Sequence, residues 1–266
     1  MTTRADTVEI AVDGKHMEGT LVRPDTLVPG VLLVHGWDGS QAEYLERARE
    51  IAALGCVCLT FDLRGHERHR ADRERVTRED NLRDVLAAYD RLATQPEVDR
   101  EAIAVVGSSY GGYLAAILTT LRPVRWLALR VPALYEDEDW HVPKNSLPRD
   151  RLAQLRRQHL EPGANRALGA CAMFRGEVLI VESEHDNVVP HPAVASYKNA
   201  CAQARSVTYR VISGADHALS EKPWQQTYTS MLVNWLSEML LNARAGRTGS
   251  AAVTPLAAST QVDQED

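Results

Sequence analysis

Short, continuous apolar runs alternate with segments of helical periodicity from residue 31 onward. The runs predict buried strands, because strands covered on both faces lack the alternation of half-exposed ones. Val31–Val34 and Ile103–Val106 are such runs, and the other predicted strands are Cys56–Phe61, Trp126–Arg130, Val178–Val181 and Ser206–Ile212. The segments between and after them, with apolar residues three or four positions apart, are 44–52, 82–92, 113–121, 193–204 and 224–242. This order predicts an α/β fold with a mostly parallel central sheet and helices on both faces.

Two extended runs come before this pattern. Thr7–Val12 and His16–Val22 flank Asp13-Gly14, a dipeptide typical of tight hairpin turns. We therefore expect an antiparallel N-terminal hairpin ahead of the parallel sheet.

The alternation is interrupted once and stops before the end of the chain. Residues 131–165 contain four prolines and allow one short helix over Arg149–His159, so we expect a small cap insertion there. Residues 243–266 are small and polar, and are expected to be a disordered tail. The remainder, 1–242, is then a single domain of ordinary size.

Residues with chemical potential follow the predicted strands. In parallel sheets the loops at the carboxyl ends of the strands meet at one edge, where reactive groups of α/β proteins lie. Such ends carry Gly36-Trp37, Asp62, Ser109, Asp186 and His217. Their coincidence is the strongest functional signal in the sequence.

Ser109 stands between a strand and a helix, with glycine two positions away on each side, which matches a nucleophile elbow. The turn is so tight that side chains at 107 and 111 would clash. The hydroxyl would point into open space, and the helix start at Tyr110 would face a developing oxyanion. Ser108 is the alternative nucleophile, but the glycines bracket Ser109.

A serine nucleophile needs a base and an orienting carboxylate. His217, in the loop after the last strand, is the candidate base, and Asp186, after the preceding strand, is the candidate acid. Glu182 and Glu184 compete with Asp186, and Asp216 adjoins the base.

The chain resembles the α/β-hydrolase family over about residues 8–242. The resemblance rests on "VLLVHG" at 31–36, Asp62–Gly65, "GSSYGG" at 107–112, "DNVVP" at 186–190 and "GADH" at 214–217. "SYGG" also resembles prolyl-oligopeptidase-type peptidases and their esterase relatives, and the size is similar to dienelactone-hydrolase-like enzymes. Those typically use cysteine where this chain has Ser109, so lactone specificity is not implied.

The resemblance implies a serine hydrolase that cleaves a carboxylic ester through an acyl-enzyme. The backbone amides of Trp37 and Tyr110 would form the oxyanion hole, and Gly36 permits the sharp turn this needs. We expect Trp37, Tyr135 and Trp140 to line the substrate pocket. A thioesterase or a short-peptide or amide hydrolase is the alternative, followed by an acyltransferase and a non-catalytic scaffold.

Several residues have simpler interpretations. We expect His35 to support the oxyanion loop, and Asp62 to make structural hydrogen bonds near the site. His66 and His69 lack a third ligand nearby, so no metal is expected. The acidic run Glu136–Asp139 is interpreted as a solvated cap surface, with a substrate or cation site as the alternative.

The expected partner is the small-molecule acyl substrate that the resemblance implies, and composition argues against other classes of partner. The net charge is −6 with no basic block, which argues against nucleic acid. The absence of an apolar leader or membrane-length run predicts a cytoplasmic protein without membrane contact. No cofactor is expected. The cysteines, Cys56, Cys58, Cys171 and Cys201, are predicted to be reduced and mostly buried. The apolar face of Trp224–Leu240 would pack against the core or against a second subunit in a homodimer.

Overall fold

The computed structural model describes residues 3–12, 15–24 and 27–250, and the side chains of 27–243. Strands β1 (Thr3–Val12) and β2 (Lys15–Pro24) pair antiparallel and form a sheet of their own. The predicted Asp13-Gly14 turn lies outside the described residues.

A second sheet of six strands forms the centre of the molecule. Its members are β3 (Val28–Val34), β4 (Val57–Thr60), β5 (Val98–Ser108), β6 (Trp126–Arg130), β7 (Glu177–Ser183) and β8 (Ser206–Ile212). The spatial order is β4-β3-β5-β6-β7-β8, and every neighbouring pair is parallel. The prediction of a parallel sheet is therefore confirmed. The chain adds β4 on one side of β3 and then adds the later strands on the other side, beginning with β5. Such sheets open a crevice where the order of connection reverses in this way.

Helices cover both faces of this sheet, as predicted. They are α1 (Ala42–Ala52), α2 (Arg78–Ala93), α3 (Tyr110–Leu118), α4 (Arg149–Arg156), α5 (Arg166–Met173), α6 (His191–Ala200) and α7 (Lys222–Ser250). Thr77 caps α2 through a reciprocal pair of hydrogen bonds with Asp80. Successive strand residues face opposite layers: Leu32 packs with the core beneath α2 and α3, whereas Leu33 packs with α1 and α7.

The final helix differs from the sequence prediction at its end. Its apolar face, which includes Tyr228, Leu232, Trp235 and Leu236, is buried against the sheet, so the chain itself covers that face. The helix continues beyond Asn242 to Ser250, although residues from 243 onward were expected to be disordered. The rest of the expected tail, 251–266, lies outside the described residues.

The cap insertion between β6 and β7 is mostly irregular. It contains two short 3₁₀ helices, Asp137–Asp139 and Lys144–Ser146, followed by α4. Helix α5 was not predicted, because its small residues give little helical periodicity. Those same small residues let it pack closely against α3 in the core.

The structure also describes the state of the cysteines and the length of the helices. Cys56, Cys171 and Cys201 are buried, Cys58 is half-buried, and no disulfide joins them. Within the described ranges, no helix is both long and apolar enough to cross a bilayer.

Candidate active site

Ser109 occupies the turn between β5 and α3 in a backbone conformation that residues other than glycine rarely adopt. Its φ is 52° and its ψ is −115°. The Ser109 amide donates to the Arg130 carbonyl at 2.9 Å. The Ser109 carbonyl accepts from the amides of Tyr113 at 3.1 Å and Ala133 at 3.0 Å. Strain of this kind persists only where the surroundings hold it, and it concentrates at functional turns.

The glycines on either side of Ser109 are required by close backbone approach. A Cβ on Gly107 would lie 2.7 Å from the carbonyl carbon of Gly111. A Cβ on Gly111 would lie 2.8 Å from the carbonyl carbon of Val34 on β3. Both obstacles are backbone atoms, which cannot turn aside, so only glycine fits at either position.

Gly111→Ala is expected to lower the free energy of unfolding by about 3 kcal/mol or more, because β3 and α3 must separate to admit the methyl group. Gly163→Ala is the matched control, since nothing lies within 4 Å of a Cβ built there. It should change stability by no more than about 1 kcal/mol. Urea unfolding of both variants measures the difference, and equal effects would contradict the steric account.

Ser109, His217 and Asp186 form a continuous hydrogen-bonded chain, although 108 positions separate the serine from the histidine. His217 Nε2 lies 3.0 Å from Ser109 Oγ, and His217 Nδ1 lies 2.6 Å from Asp186 Oδ2. The Asp186 side chain is 1% exposed, whereas that of His217 is 22% exposed. A buried carboxylate beside Nδ1 favours the tautomer with the proton on Nδ1, which leaves the Nε2 lone pair facing the serine.

Asp186 is also held by the backbone of its own loop. Its Oδ1 accepts hydrogen bonds from the amides of Val188 at 2.8 Å and Val189 at 2.7 Å. The two oxygens therefore have separate partners: Oδ1 binds the loop and Oδ2 binds His217. This division fixes the orientation of the carboxylate.

The competing carboxylates have other partners. Glu182 accepts a hydrogen bond from the Tyr209 hydroxyl on β8. Glu184 accepts from the Gly214 amide at 2.6 Å, and Asp216 binds the turn that follows it. Only Asp186, among the four candidates, contacts His217 in the described structure.

Arg130, at the end of β6, fixes the position of the histidine loop. Its Nη1 donates to the His217 carbonyl at 3.0 Å, and its Nε lies 3.4 Å from Ser108 Oγ. The residue is buried and reaches Ser183 on β7 as well. Sequence reasoning missed this role, and the available signal was an arginine that ends an apolar strand.

The loop after β3 lies directly against the nucleophile. A Cβ on Gly36 would lie 3.4 Å from Ser109 Cβ, which places the next residue, Trp37, beside the elbow. The Trp37 ring packs edge-on against Tyr110 with centroids 5.4 Å apart. In the described part of the chain, the Trp37 and Tyr110 amides donate to no other protein group. Both amides are thus free to bind an oxyanion.

His35 and Asp62 support this loop through hydrogen bonds. His35 Nε2 accepts from the Leu63 amide at 3.1 Å, and its Nδ1 donates to the Gly36 carbonyl at 2.6 Å. Burial lowers the pKa of His35 to about 4, so the ring is neutral at physiological pH. Asp62 binds the backbone and side-chain nitrogens of Gln41 at 2.8 and 2.6 Å. The structural interpretation of both residues agrees with these contacts.

His66 also supports the loop after β3. Its Nε2 donates to the Trp37 carbonyl, and its ring is buried. His69 lies in a 3₁₀ helix, Glu67–Asp72, within the predicted loop. Across the residues with described side chains, no group of three metal-ligating side chains comes together.

A family model described as "Alpha/beta hydrolase family" matches residues 31–229. The chain belongs to the α/β-hydrolase family. The match covers the whole six-stranded sheet apart from the start of β3 and all three residues of the Ser109–His217–Asp186 chain. No curated protein matches this hydrolase in sequence.

Solved structures with the same fold include three enzymes that differ in name. A dienelactone hydrolase from Anabaena variabilis is 19% identical, with a TM-score of 0.56 over 89% of this chain and 98% of its own. A monoacylglycerol lipase from Paleococcus ferrophilus is 16% identical, with a TM-score of 0.59 over 80% and 96%. An acylaminoacyl peptidase from Pyrococcus horikoshii is 15% identical, with a TM-score of 0.58 over 88% of this chain and 41% of its own. At these identities the likeness shows the fold alone.

The predicted pocket residues of this α/β hydrolase occupy different positions in the cap. Tyr135 is buried, and its ring packs against that of Tyr110 with centroids 5.7 Å apart. Trp140 is also buried, but its ring lies under the guanidinium of Arg166 at 3.9 Å. Tyr135 therefore contacts Tyr110, the residue that follows Ser109. Trp140 instead contacts the guanidinium groups of Arg78 and Arg166.

The acidic run at the start of the cap is an ion-pair cluster. Arg151 on α4 pairs with Glu136 at 2.5 Å and Glu138 at 3.5 Å. Arg166 pairs with Asp137 at 3.1 Å. These contacts fasten the cap to its own helices.

Sequence reasoning also missed a group of cations around an aromatic ring of the cap. Lys144, Arg78 and Arg156 all lie over the Tyr135 ring, at 5.5, 5.3 and 5.1 Å from its centroid. They come from three separate segments, so no sequence spacing relates them.

Proposed function

We propose that this protein is a serine hydrolase that cleaves a carboxylic ester through an acyl-enzyme intermediate. The observation that carries the proposal is the relay from Asp186 through His217 to Ser109, with the serine held in a strained elbow. A serine hydroxyl is a weak nucleophile on its own, and an adjacent base oriented by a third group activates it.

In the first half-reaction, Ser109 Oγ attacks the acyl carbonyl while His217 Nε2 takes the hydroxyl proton. The carbonyl oxygen becomes an oxyanion, which the amides of Trp37 and Tyr110 stabilise by hydrogen bonds. The carbon–oxygen bond to the leaving alcohol then breaks, and His217 gives its proton to the departing oxygen. Asp186 holds the ring in position and stabilises the transient imidazolium.

In the second half-reaction, His217 Nε2 takes a proton from water as the water oxygen attacks the acyl carbon. The bond between that carbon and Ser109 Oγ breaks, and the proton returns to the serine. The products are a carboxylic acid, the alcohol and regenerated enzyme.

The choice of an ester rests on the leaving group and on the names of the similar solved structures. An alkoxide is a better leaving group than an amide anion, so the carbon–oxygen bond breaks readily once His217 supplies its proton. The similar structures include a lipase and a dienelactone hydrolase. A thioester or an amide would pass through the same intermediate, and the acylaminoacyl peptidase is the neighbour that favours an amide.

Two measurements test the proposal. We expect a fluorophosphonate probe to attach covalently to Ser109, as located by peptide mass spectrometry. A panel of p-nitrophenyl esters of rising chain length, a thioester and an aminoacyl anilide should show the ester as the best substrate by kcat/KM. Labelling without hydrolysis would indicate an acyltransferase or a different substrate class, whereas absence of labelling would indicate a non-catalytic scaffold.

A further inference from the structure

The cap holds Lys144 against the side chains of Trp37 and Tyr110, the two residues of the proposed oxyanion hole. The Lys144 amide donates to the Val76 carbonyl at 2.8 Å, which ties the 3₁₀ helix Lys144–Ser146 to the segment before α2. The Lys144 Nζ lies 4.4 Å from the centre of the Trp37 ring and 5.5 Å from that of Tyr110. These two rings belong to the residues whose amides are proposed to bind the oxyanion.

The charge of Asp38 acts on this ammonium, but no carboxylate forms an ion pair with it in the described structure. Within the described residues, Lys144 forms no ion pair, and the nearby Asp38 pairs with Arg73 instead. Arg78 and Arg156, which share the Tyr135 ring with Lys144, likewise have no carboxylate partner there. Three cations therefore lie over the Tyr135 ring, and none of them pairs with a carboxylate in the described structure.

Arg78 is buried without a full set of hydrogen-bond partners. Its side chain is fully buried, and its Nε and Nη2 have no hydrogen-bond partner in the described structure. Uncompensated charge in a buried site costs several kcal/mol of free energy. A negatively charged ligand beside the cluster would offset that cost.

The order of the strands indicates on which side of Ser109 this group of cations lies. Trp37 follows β3, on one side of β5, whereas His217 follows β8, on the other. His217 must face the leaving group to protonate it, so the leaving group lies on the His217 side of Ser109 and the acyl part lies on the opposite side, past the oxyanion that the Trp37 amide would bind. Lys144 is therefore placed to meet the acyl part.

We propose that Lys144 determines specificity by binding a carboxylate carried on the acyl part of the substrate. The proposal rests on the proposed hydrolase function and names its substrate class. The aromatic rings would pack against the acyl chain, while the ammonium would pair with its charged end.

Kinetics on two matched esters test the role of Lys144. The esters are mono-p-nitrophenyl glutarate and p-nitrophenyl valerate, whose equal acyl chains end in a carboxylate and a methyl group. Wild type should prefer the glutarate by kcat/KM, and Lys144→Met should lower that preference by about tenfold or more, mainly through KM. Lys144→Arg should restore part of it. An unchanged preference in Lys144→Met would overturn the proposal.

Lys198→Met is the matched control. Lys198 Nζ also lies over an aromatic ring, 4.7 Å from the centre of Tyr209, but it is on α6 beside the edge strand β8. Its removal should leave the preference unchanged. Equal losses in both lysine variants would show a general effect of net charge and sink the assignment.

A wild-type measurement adds an independent check. Burial, followed by repulsion from Arg156, lowers the pKa of Lys144 to about 7; Arg73 and Arg78 act in the same direction and Asp38 opposes them. The ammonium is present below that pKa and lost above it. The preference for the glutarate should therefore fall between about pH 6 and about pH 9. The ratio of the two esters cancels every pH effect that both substrates share, and the ratio in Lys144→Met should be flat.

Calorimetry separates this proposal from the proposed function. Monomethyl glutarate should bind Ser109→Ala, and adding Lys144→Met should raise its Kd by about tenfold or more. If wild type cleaves valerate through Ser109 while the preference ignores Lys144, only the substrate class is wrong. If no ester is cleaved but monomethyl glutarate binding depends on Lys144, only the reaction is wrong.

Discussion

Replacing Ser109 with alanine is expected to lower kcat for ester hydrolysis by about 10⁴-fold or more, with little change in fold. The substitution removes only Oγ, the atom that would form the acyl-enzyme. The amides of Trp37 and Tyr110 would remain in place, so a small residual rate above the spontaneous one should persist. Initial rates on p-nitrophenyl valerate, with circular dichroism to verify folding, measure the effect.

Ser108→Ala is the matched control for this prediction. Ser108 is the adjacent serine and the alternative nucleophile, but it is 1% exposed and its Oγ accepts from Arg130 at 3.4 Å. Its loss removes one long hydrogen bond, so kcat should stay within about tenfold of wild type. If Ser108→Ala is inactive and Ser109→Ala retains its rate, the nucleophile has been assigned to the wrong serine.

The four inner strands of the sheet could be predicted from sequence because they are buried on both faces over most of their length, whereas the edge strand β8 is partly exposed. Trp126–Arg130 and Ser206–Ile212 were predicted with the bounds that the structure shows. The continuous apolar runs leave no competing helical phase, and glycine or polar residues end them sharply. Helix α5 escaped prediction for the opposite reason, since residues such as Ala167 and Ala170 are buried without a strong apolar pattern.

The relay could be predicted because topology does most of the positioning. Once the strands are parallel, the loops that follow them must meet at one edge, so chain order alone brings Ser109, Asp186 and His217 together. Sequence left four carboxylates available near the base. The backbone decided between them, because the amides of Val188 and Val189 turn Asp186 toward the histidine.

The cap could not be predicted in the same way. No regular element fixes its side chains, and its contacts join segments far apart in the chain. Lys144 meets Trp37, Tyr110 and Tyr135 only after the cap folds back over the sheet edge. The proposed recognition of the substrate by Lys144 would therefore depend on the part of the chain with the weakest sequence pattern.

Asp186→Asn is expected to lower kcat by about 10⁴-fold, although the new side chain has nearly the same shape. The reason lies in the two partners of the carboxylate. The Val188 and Val189 amides require an acceptor at the Oδ1 position, so the asparagine oxygen must occupy it. The asparagine NH₂ group then faces His217 Nδ1, where Asp186 Oδ2 stood.

An NH₂ group at that position donates to Nδ1 and forces the ring proton onto Nε2. His217 Nε2 then has no lone pair for the Ser109 proton, so the base is disabled while the geometry is kept. KM for p-nitrophenyl valerate should change little, since the acyl pocket is untouched. Glu184→Gln is the control, because Glu184 is exposed in the same loop and binds only Ser213 and Gly214. Loss of kcat in Glu184→Gln with retention in Asp186→Asn would move the acid to Glu184. Comparable kcat losses in both variants would trace the effect to the loop and not to the tautomer of His217.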